Sequence, residues 1–228
     1  MATDQHPERA LAERLAMVPL LSGLPSEFLR MLAVNAVLRE YAADEIVFLE
    51  GEPSPGLFVI ESGYVKVVKT SPQGREHTLE VLGPSQPANA VAVFTRQPSP
   101  ASAIALEPTR AWLLPRGAVA QLLRDHPAFA GRVIENMADH MVRLVELVAD
   151  LSLRSVTARL AKLLLDEAVD GVVVRPRWLT LPELAARLGT VPDVVQRALG
   201  RLSADGLVEV DRREIRIREP RGLEELAH

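Results

Sequence analysis

The chain has 228 residues, of which 48% are hydrophobic, and a formal net charge of −4. This composition supports one or two folded domains and excludes an intrinsically disordered chain. The sequence contains no cysteine, which excludes disulfide bonds, thiolate metal sites, the usual cysteine-bound iron–sulfur cluster and a cysteine nucleophile.

Targeting signals are not predicted. No apolar run approaches the roughly 18 residues that span a bilayer, and residues 1–14 lack the basic start and apolar block of a secretory signal. We therefore expect a cytoplasmic protein with no membrane partner. Charge is uneven along the chain, with 13 Lys and Arg against 18 Asp and Glu in residues 1–151, and 13 against 12 in residues 152–228. Such an asymmetry is typical of an acidic domain joined to a more basic, nucleic-acid-binding one.

Residues 7–38 are predicted to be helical, because Leu11, Leu15 and Val18 recur near helical spacing, with breaks at Pro19, Gly23 and Pro25. In residues 41–114 the pattern changes, and short β-rich runs alternate with Gly and Pro. The predicted strands are Glu45–Leu49, Leu57–Ser62, Tyr64–Thr70, His77–Leu82, Ser102–Ala105 and Arg110–Leu114, with a hairpin turn at Pro72–Gly74. Many short strands separated by turn residues indicate an antiparallel sandwich or barrel.

A long helix is predicted next, because no Gly or Pro occurs between Arg132 and Val169. Its apolar residues step by four and three, which is the spacing of a coiled-coil seam. The seam consists of Val133, Met137, His140, Leu144, Leu147 and Leu151. We interpret it as the contact between two copies of the chain. The alternative is a single amphipathic helix that lies on its own sheet. A break is predicted at Ser152–Ser155, where Ser155 is a suitable cap for the next helix, over 156–168.

The C-terminal region has the pattern of two helices joined by a tight turn. Pro182 and Pro192 each suit the first turn of a helix, and Gly189 permits the positive φ that the turn needs. The second helix is predicted over 192–204. A strand at Val172–Val174 and a hairpin of Leu207–Val210 with Ile215–Ile217 complete the pattern. We interpret it as a winged helix-turn-helix; the alternative is an ordinary helical hairpin with a β-ribbon.

The side chains that this arrangement leaves exposed suit DNA. An Arg can donate to guanine and an acid can accept from cytosine in the major groove. We expect base contacts from Asp193, Gln196 and Arg197. Contacts to the DNA backbone position a protein without specifying a sequence, and we expect them from Thr180, Arg201, Arg212 and Arg213.

Further motifs are Gly51-Glu52, Gly56–Ile60, Ser62–Val67 and Leu82–Pro84. Together with the helix-turn-helix they make nearly the whole chain resemble the family of the cyclic-AMP receptor protein and the fumarate–nitrate reduction regulator (the Crp-Fnr family). The resemblance implies an α+β fold in three parts: N-terminal helices and a cupin-like β-roll (a double-stranded β-helix) over 1–126, a dimerisation helix over 127–154 and a winged helix-turn-helix over 155–228. It also implies a homodimer that binds an inverted repeat in double-stranded DNA and contacts RNA polymerase to activate transcription.

The effector site departs from the family pattern. Where the family's cyclic-nucleotide cassette has an acid for the ribose and an Arg-Ser pair for the phosphate, this sequence has Ala90, Ser99 and Pro100, with Asn89 beside them. A phosphate without that guanidinium loses a charge-assisted bidentate contact. The hydroxyl residues that meet the base in the family are replaced by Leu144 and Val145. Cyclic AMP is therefore not the expected effector.

Other effectors remain open at this point. A haem-based or nitric-oxide-responsive regulator is one alternative, with His140 as a candidate ligand in the pocket, and a regulator without an effector is another. No paired acids, Ser-His-Asp arrangement or phosphate-binding glycine loop stands out, so we predict that the chain is not an enzyme. The alternative in a different class is a signalling adaptor, with a ligand- or partner-binding β-roll and a C-terminal interaction module.

Overall fold

A computed structural model of the protein describes residues 5–95 and 97–227, with the backbone alone for residues 5–7. The chain forms two compact units, and neither is one continuous segment. The N-terminal unit combines the stretch up to Lys69 with Leu79–Met141, and the C-terminal unit combines Thr70–Thr78 with the stretch from Val142 onward. These limits differ from the predicted three parts, because the long helix belongs partly to each unit.

The N-terminal unit begins with helices α1 (Gln5–Leu15) and α2 (Ser26–Asn35). Helix α2 ends three residues before the predicted limit at Leu38, since Ala36 has an extended backbone (φ −72°, ψ 142°). Strand β1 (Val37–Tyr41) follows directly. The helical prediction for the last two residues was wrong, because pairing with another strand outweighs a weak local helical pattern.

The strands after β1 are β2 (Ile46–Phe48), β3 (Gly56–Ser62), β4 (Val65–Thr70), β5 (Glu76–Leu82), β6 (Pro87–Ala88), β7 (Ser102–Ala105) and β8 (Thr109–Pro115). Within the described residues they form two four-stranded sheets, in the orders β1-β8-β3-β6 and β2-β7-β4-β5. The assigned pairs are antiparallel. The antiparallel sandwich and its six predicted strands are confirmed, whereas β1 and the two-residue β6 were not predicted.

Strand β3 is buried on both faces, and it joins the two cores of the N-terminal unit. Leu57 and Val59 pack in a core with α1 and α2, while Phe58 and Ile60 pack in the core between the sheets. This alternation is the two-residue period of a strand. Phe58 stacks on Phe48 of the facing sheet, with 5.7 Å between the ring centroids.

Three further helices of this region follow in chain order: α3 (Ala90–Phe94), α4 (Arg116–Asp125) and α5 (Pro127–Leu153). Helix α5 is the long helix that the spacing predicts, whereas α3 and α4 were not predicted. Its first turns are buried in the N-terminal core through Phe129 and Val133. Val133, which the spacing assigned to the seam, is therefore not exposed to a partner. Spacing identifies the apolar face of a helix but not which turns of that face pack inside the same chain.

Helix α6 (Val156–Glu167) begins after Ser155, whose Oγ accepts a hydrogen bond from the Ala158 amide at 3.2 Å. The predicted cap is thus confirmed. The last turns of α5 are bonded to α6, because the Asp150 carboxylate contacts Arg154 at 2.9 Å and Lys162 at 2.7 Å. The predicted break is therefore short and is bridged by ionic contacts.

The remaining elements of the C-terminal unit are β9 (Val172–Val174), α7 (Leu181–Arg187), α8 (Pro192–Ala204), β10 (Val208–Val210), β11 (Glu214–Ile217) and α9 (Pro220–Ala227). The strands form a sheet in the order β10-β11-β9. Both β9 and α8 have the predicted limits. Helix α9 was not predicted; it buries Leu223 and Ala227 in the same core as α6.

Residues 70–78, the tip of the β4–β5 hairpin, pack within the C-terminal unit. The His77 Nδ1 atom lies 2.8 Å from the carbonyl oxygen of Ala186. The Thr78 hydroxyl donates to Oε1 of Glu183 at 3.2 Å, and the Glu183 side chain is buried. The hairpin tip thus bonds to helix α7, although these residues are more than 100 positions apart in the sequence.

Candidate nucleic-acid interface

The predicted DNA-contacting residues lie on helix α8, at the residue before helix α7 and in the turn between β10 and β11. Helix α7 begins after Thr180, whose Oγ1 accepts a hydrogen bond from the Glu183 amide at 3.3 Å. Gly189 in the following turn has φ +63°, and a Cβ atom built there would lie 2.8 Å from Cδ2 of Leu151. Backbone conformation and space both favour glycine at this position. Helix α8 then starts with Pro192, which needs no hydrogen-bond acceptor in the first turn.

Helix α8 has one buried face and one exposed face. The buried face consists of Val195, Ala198, Leu199 and Leu202. The exposed face consists of Asp193, Gln196, Arg197, Gly200 and Arg201. This is the division that the sequence pattern predicts. Its cause is the helical period, which places every third or fourth residue in the core of the unit.

The polar groups on the exposed face are available to a partner. Arg197 donates through Nε to the carbonyl oxygen of Asp193 at 3.3 Å, and in the described parts of the chain no carboxylate pairs with its guanidinium. Arg201 lies 3.9 Å from Asp205, with side chains 75% and 55% exposed. An ion pair so exposed contributes little in water and opens at small cost. One face of α8 therefore presents two guanidinium groups, one carboxylate and one amide.

This set of groups matches the edges of base pairs. A guanidinium can donate two parallel hydrogen bonds to guanine O6 and N7, and a carboxylate can accept from cytosine N4. The amide of Gln196 can bond adenine in the same groove. All three side chains lie in the first two turns of α8, and in a helix-turn-helix the N-terminal part of the second helix contacts the bases.

Strands β10 and β11 form the predicted wing, with Val208 opposite Ile217. The amide of Asp211 donates to the carbonyl oxygen of Glu214 at 2.8 Å and closes the turn. Arg212 and Arg213 stand exposed in this turn. Neither guanidinium has a carboxylate partner in the described ranges, so both are available for phosphate oxygens.

Thr180, Arg187 and Arg175 differ in how their side chains are bonded within the unit. Thr180 is exposed, and its hydroxyl oxygen caps α7. Arg187 forms an ion pair with Glu167, so it is occupied within the unit. Arg175, which sequence reasoning did not single out, donates from its side chain to the carbonyl oxygen of Asp211 at 3.0 Å.

The effector-pocket residues of the N-terminal unit form a cluster bonded internally. Asn89 has a left-handed backbone (φ 66°), and its Nδ2 donates to the Ser54 hydroxyl at 3.0 Å. The Ser99 hydroxyl donates to Asn89 Oδ1 at 3.3 Å. Ser54 and Ser99 are both buried. Ala90 begins helix α3, and the Pro100 carbonyl oxygen accepts from Lys69 Nζ at 3.0 Å. The structure thus brings Asn89 and Ser99 together and adds Ser54, which sequence reasoning missed because it lies 35 residues away.

The α5 residues named for the pocket and the seam differ in exposure. Leu144 and Val145 are 41% and 64% exposed, and His140 is half-buried. Along the same helix Ile134, Met137, Met141, Val148 and Leu151 are also exposed. Contiguous exposed apolar residues of this kind mark interaction sites, of which contact with another protein chain is one.

Among the described residues, no three His, Cys, Asp or Glu side chains are grouped closely enough to hold a metal ion. No helix in the described ranges is long and apolar enough to cross a bilayer.

The chain is similar to known proteins over most of its length. Residues 38–126 match the model of the cyclic nucleotide-binding domain, and residues 158–226 match that of the Crp-like helix-turn-helix domain. The chain is 30% identical to the cyclic AMP receptor protein of Thermus thermophilus, over 92% of this chain and 96% of that protein. It is 28% identical to a CRP-like cAMP-activated global transcriptional regulator of Mycobacterium tuberculosis, over 90% and 94% of the two chains. The structure of FixK2 from Bradyrhizobium japonicum superposes with a TM-score of 0.76 at 22% identity, over 85% of this chain and 98% of that one.

Proposed function

We propose that this chain, which belongs to the Crp-Fnr family of transcription regulators, is a homodimer. The dimer binds an inverted-repeat operator through helix α8. The family consists of regulators and not of enzymes. The exposed face of α8 carries the proposal, because Asp193, Gln196 and Arg197 have no side-chain partner in the described part of the chain and stand at the start of a helix that follows a tight turn.

In this proposal the polar residues have two kinds of role. Arg197 donates to guanine and Asp193 accepts from cytosine, so these side chains determine which sequence is bound. Thr180, Arg201, Arg212 and Arg213 contact phosphates and sugars, so they contribute affinity for all sequences alike. Counterion release makes that second contribution dependent on salt.

The exposed apolar face of α5 supports the homodimer. Met137, Leu144 and Leu151 repeat at heptad spacing and are 41%, 41% and 37% exposed in the single chain. Pairing of two copies along this face would bury these residues. Two-fold symmetry then places the two α8 helices in successive major grooves, about 34 Å apart.

Activation of transcription through contact with RNA polymerase is part of the proposal, and it rests on the family resemblance. Transcription in vitro from a promoter that carries the selected operator tests it. An increase in transcript supports activation, while a decrease at the same occupancy indicates a repressor that blocks the promoter.

The first experiment is selection of bound duplexes from a randomised DNA pool, with the purified protein and no effector. We expect an inverted repeat with G·C pairs at symmetric positions. If a folded dimer recovers no sequence, the selection is repeated with haem and with nitric oxide. Failure under all three conditions would exclude the DNA-binding function and favour the signalling adaptor.

Arg197→Ala tests the role of α8 in base recognition. We expect it to weaken operator binding by about 1–3 kcal/mol and to relax the preference at one symmetric position. The measurement is a titration of operator and mutated operators by fluorescence anisotropy. The control is Arg221→Ala, which removes an exposed guanidinium from helix α9 and should leave the sequence preference unchanged.

The names of the relatives suggest cAMP as the effector, whereas the effector-pocket residues of this chain lead us to the opposite expectation. Those names connect the relatives with cAMP, whereas in this chain the side chains of Ser54, Asn89 and Ser99 are uncharged and their polar groups bond one another. Among the residues that the structure describes, no guanidinium bonds to this cluster, so a phosphate placed there would lack that charge-assisted contact. We therefore propose that cAMP is not the effector of this chain.

Calorimetry and operator titration with cAMP test this point. We expect no heat of binding and the same operator affinity with and without millimolar cAMP. Saturable binding, or an affinity that rises with cAMP, would contradict the proposal and return the chain to the behaviour named for its relatives.

A further inference from the structure

Arg175, which directly follows strand β9, bonds to the turn of the wing. The Arg175 amide donates to the Arg213 carbonyl oxygen at 2.7 Å, which extends the β9–β11 ladder by one residue. The Arg175 guanidinium donates through Nη1 to the Asp211 carbonyl oxygen at 3.0 Å. One residue therefore donates to both sides of the loop 211–213.

The path of this side chain crosses the sheet. Strand β11 lies between β9 and β10, yet Arg175, just after β9, bonds Asp211, just after β10. Its Nε atom is buried, and the residue is half-buried. Arg175 thus bonds the backbone on both sides of the hairpin turn, where β10 ends and β11 begins, with its Nε atom covered.

The two arginines of the loop have no such restraint. Arg212 and Arg213 are exposed, and their side chains have no hydrogen-bond acceptor among the described residues. Their position relative to DNA therefore depends on the backbone of the loop. Ordering that backbone before binding removes an entropic cost that binding must otherwise meet.

We propose that Arg175 is a positioning residue for DNA binding: it holds the wing loop so that Arg212 and Arg213 meet phosphates of the operator. This inference rests on the proposed function, since it assigns a role in DNA binding to a residue outside helix α8 and outside the wing turn. In this proposal the guanidinium of Arg175 affects DNA binding by holding the loop, and it does not itself contact a phosphate.

A double-mutant cycle tests the proposal in the full-length protein. We expect Arg175→Ala to lower affinity about tenfold for every operator sequence, with the sequence preference kept. In a chain that already carries Arg212→Ala and Arg213→Ala, the same substitution should have almost no effect, because the side chains that it positions are gone. Arg175→Lys keeps the ladder and one donor, and it should recover part of the loss.

The control is Arg177→Ala, which removes an exposed cation two residues away with no hydrogen bond to the loop in the described structure. Its effect, of whatever size, should add to that of the wing substitutions. If the effect of Arg175→Ala is also additive, Arg175 contacts DNA independently and the proposal is overturned. Wild-type affinity in Arg175→Ala overturns it as well.

Amide hydrogen exchange separates this inference from the proposed function. In the free protein, Arg175→Ala should accelerate exchange at the amides of Asp211 and Arg212, with the amides of α8 unchanged. If the wild-type chain binds no DNA, the proposed function fails, and faster exchange would still establish the restraint on the loop. Unchanged exchange at the loop would remove the restraint itself.

Discussion

Gly189 shows how one residue can be required for two reasons. Its φ of +63° lies in the left-handed region, and a Cβ atom would approach Cδ2 of Leu151 to 2.8 Å. The carbon Cε1 of the His77 ring would lie 3.5 Å from the same Cβ. Gly200 in helix α8 differs on both counts, since it has helical backbone and open space around it. Two glycines of one unit are therefore expected to respond to alanine with opposite signs.

We expect Gly189→Ala to lower the free energy of unfolding by about 1–2 kcal/mol, because an L-residue is strained at positive φ and Leu151 must move. Gly200→Ala should raise the free energy of unfolding by about 0.5–1 kcal/mol, since alanine has the higher helix propensity. Urea unfolding of both variants measures this. Equal effects of the same sign would contradict the assignment of the turn.

At the residue scale, periodicity and position relative to turn residues determine what the sequence can predict. The exposed face of α8 was predictable, because Val195, Leu199 and Leu202 fix which side of the helix is buried. The partners of Asn89 and Glu183 were not, because Ser54 and Thr78 reach them from distant parts of the chain. Arg175 was missed for the same reason, since its role depends on a carbonyl oxygen 36 residues away.

At the scale of elements, α5 is one helix with two surroundings. Its first turns are buried through Phe129 and Val133, and later turns leave Leu144 and Val148 exposed. The heptad spacing is the same in both parts. It therefore predicted the apolar face of α5 but could not show which turns are buried in the chain and which are exposed. Strand β1 and helix α9 were missed because short elements are decided by the neighbours on which they pack.

We expect Leu144→Glu to convert the dimer into a monomer, because it places a charge in the middle of the apolar face. Val142→Glu is the matched control: this residue is 58% exposed and lies about half a turn away around the helix. Sedimentation equilibrium measures the molecular mass of each variant. A dimeric Leu144→Glu, or a monomeric Val142→Glu, would show that the contact lies on a different face.

At the scale of the whole molecule, the two units are linked by more than one passage of the chain. The polypeptide enters the C-terminal unit at Thr70, leaves it after Thr78 and enters again at Val142 within α5. The predicted order of a β-rich part, a long helix and a winged helix-turn-helix is confirmed. The sharing of the hairpin tip could not be predicted, because strand patterns identify β4 and β5 but not what their turn contacts.

The contacts of the hairpin tip determine how the gene can be divided so that the C-terminal unit keeps its hydrogen bonds. A gene fragment that starts at Val142 encodes α6 to α9 and the wing, yet it omits Thr78, which bonds the buried Glu183 carboxylate, and His77, which contacts the Ala186 carbonyl oxygen. Loss of a hydrogen bond to a buried carboxylate destabilises the fold that surrounds it. Moving the DNA-binding part into a chimaeric protein therefore requires two pieces of the gene, one of them the short segment 70–78.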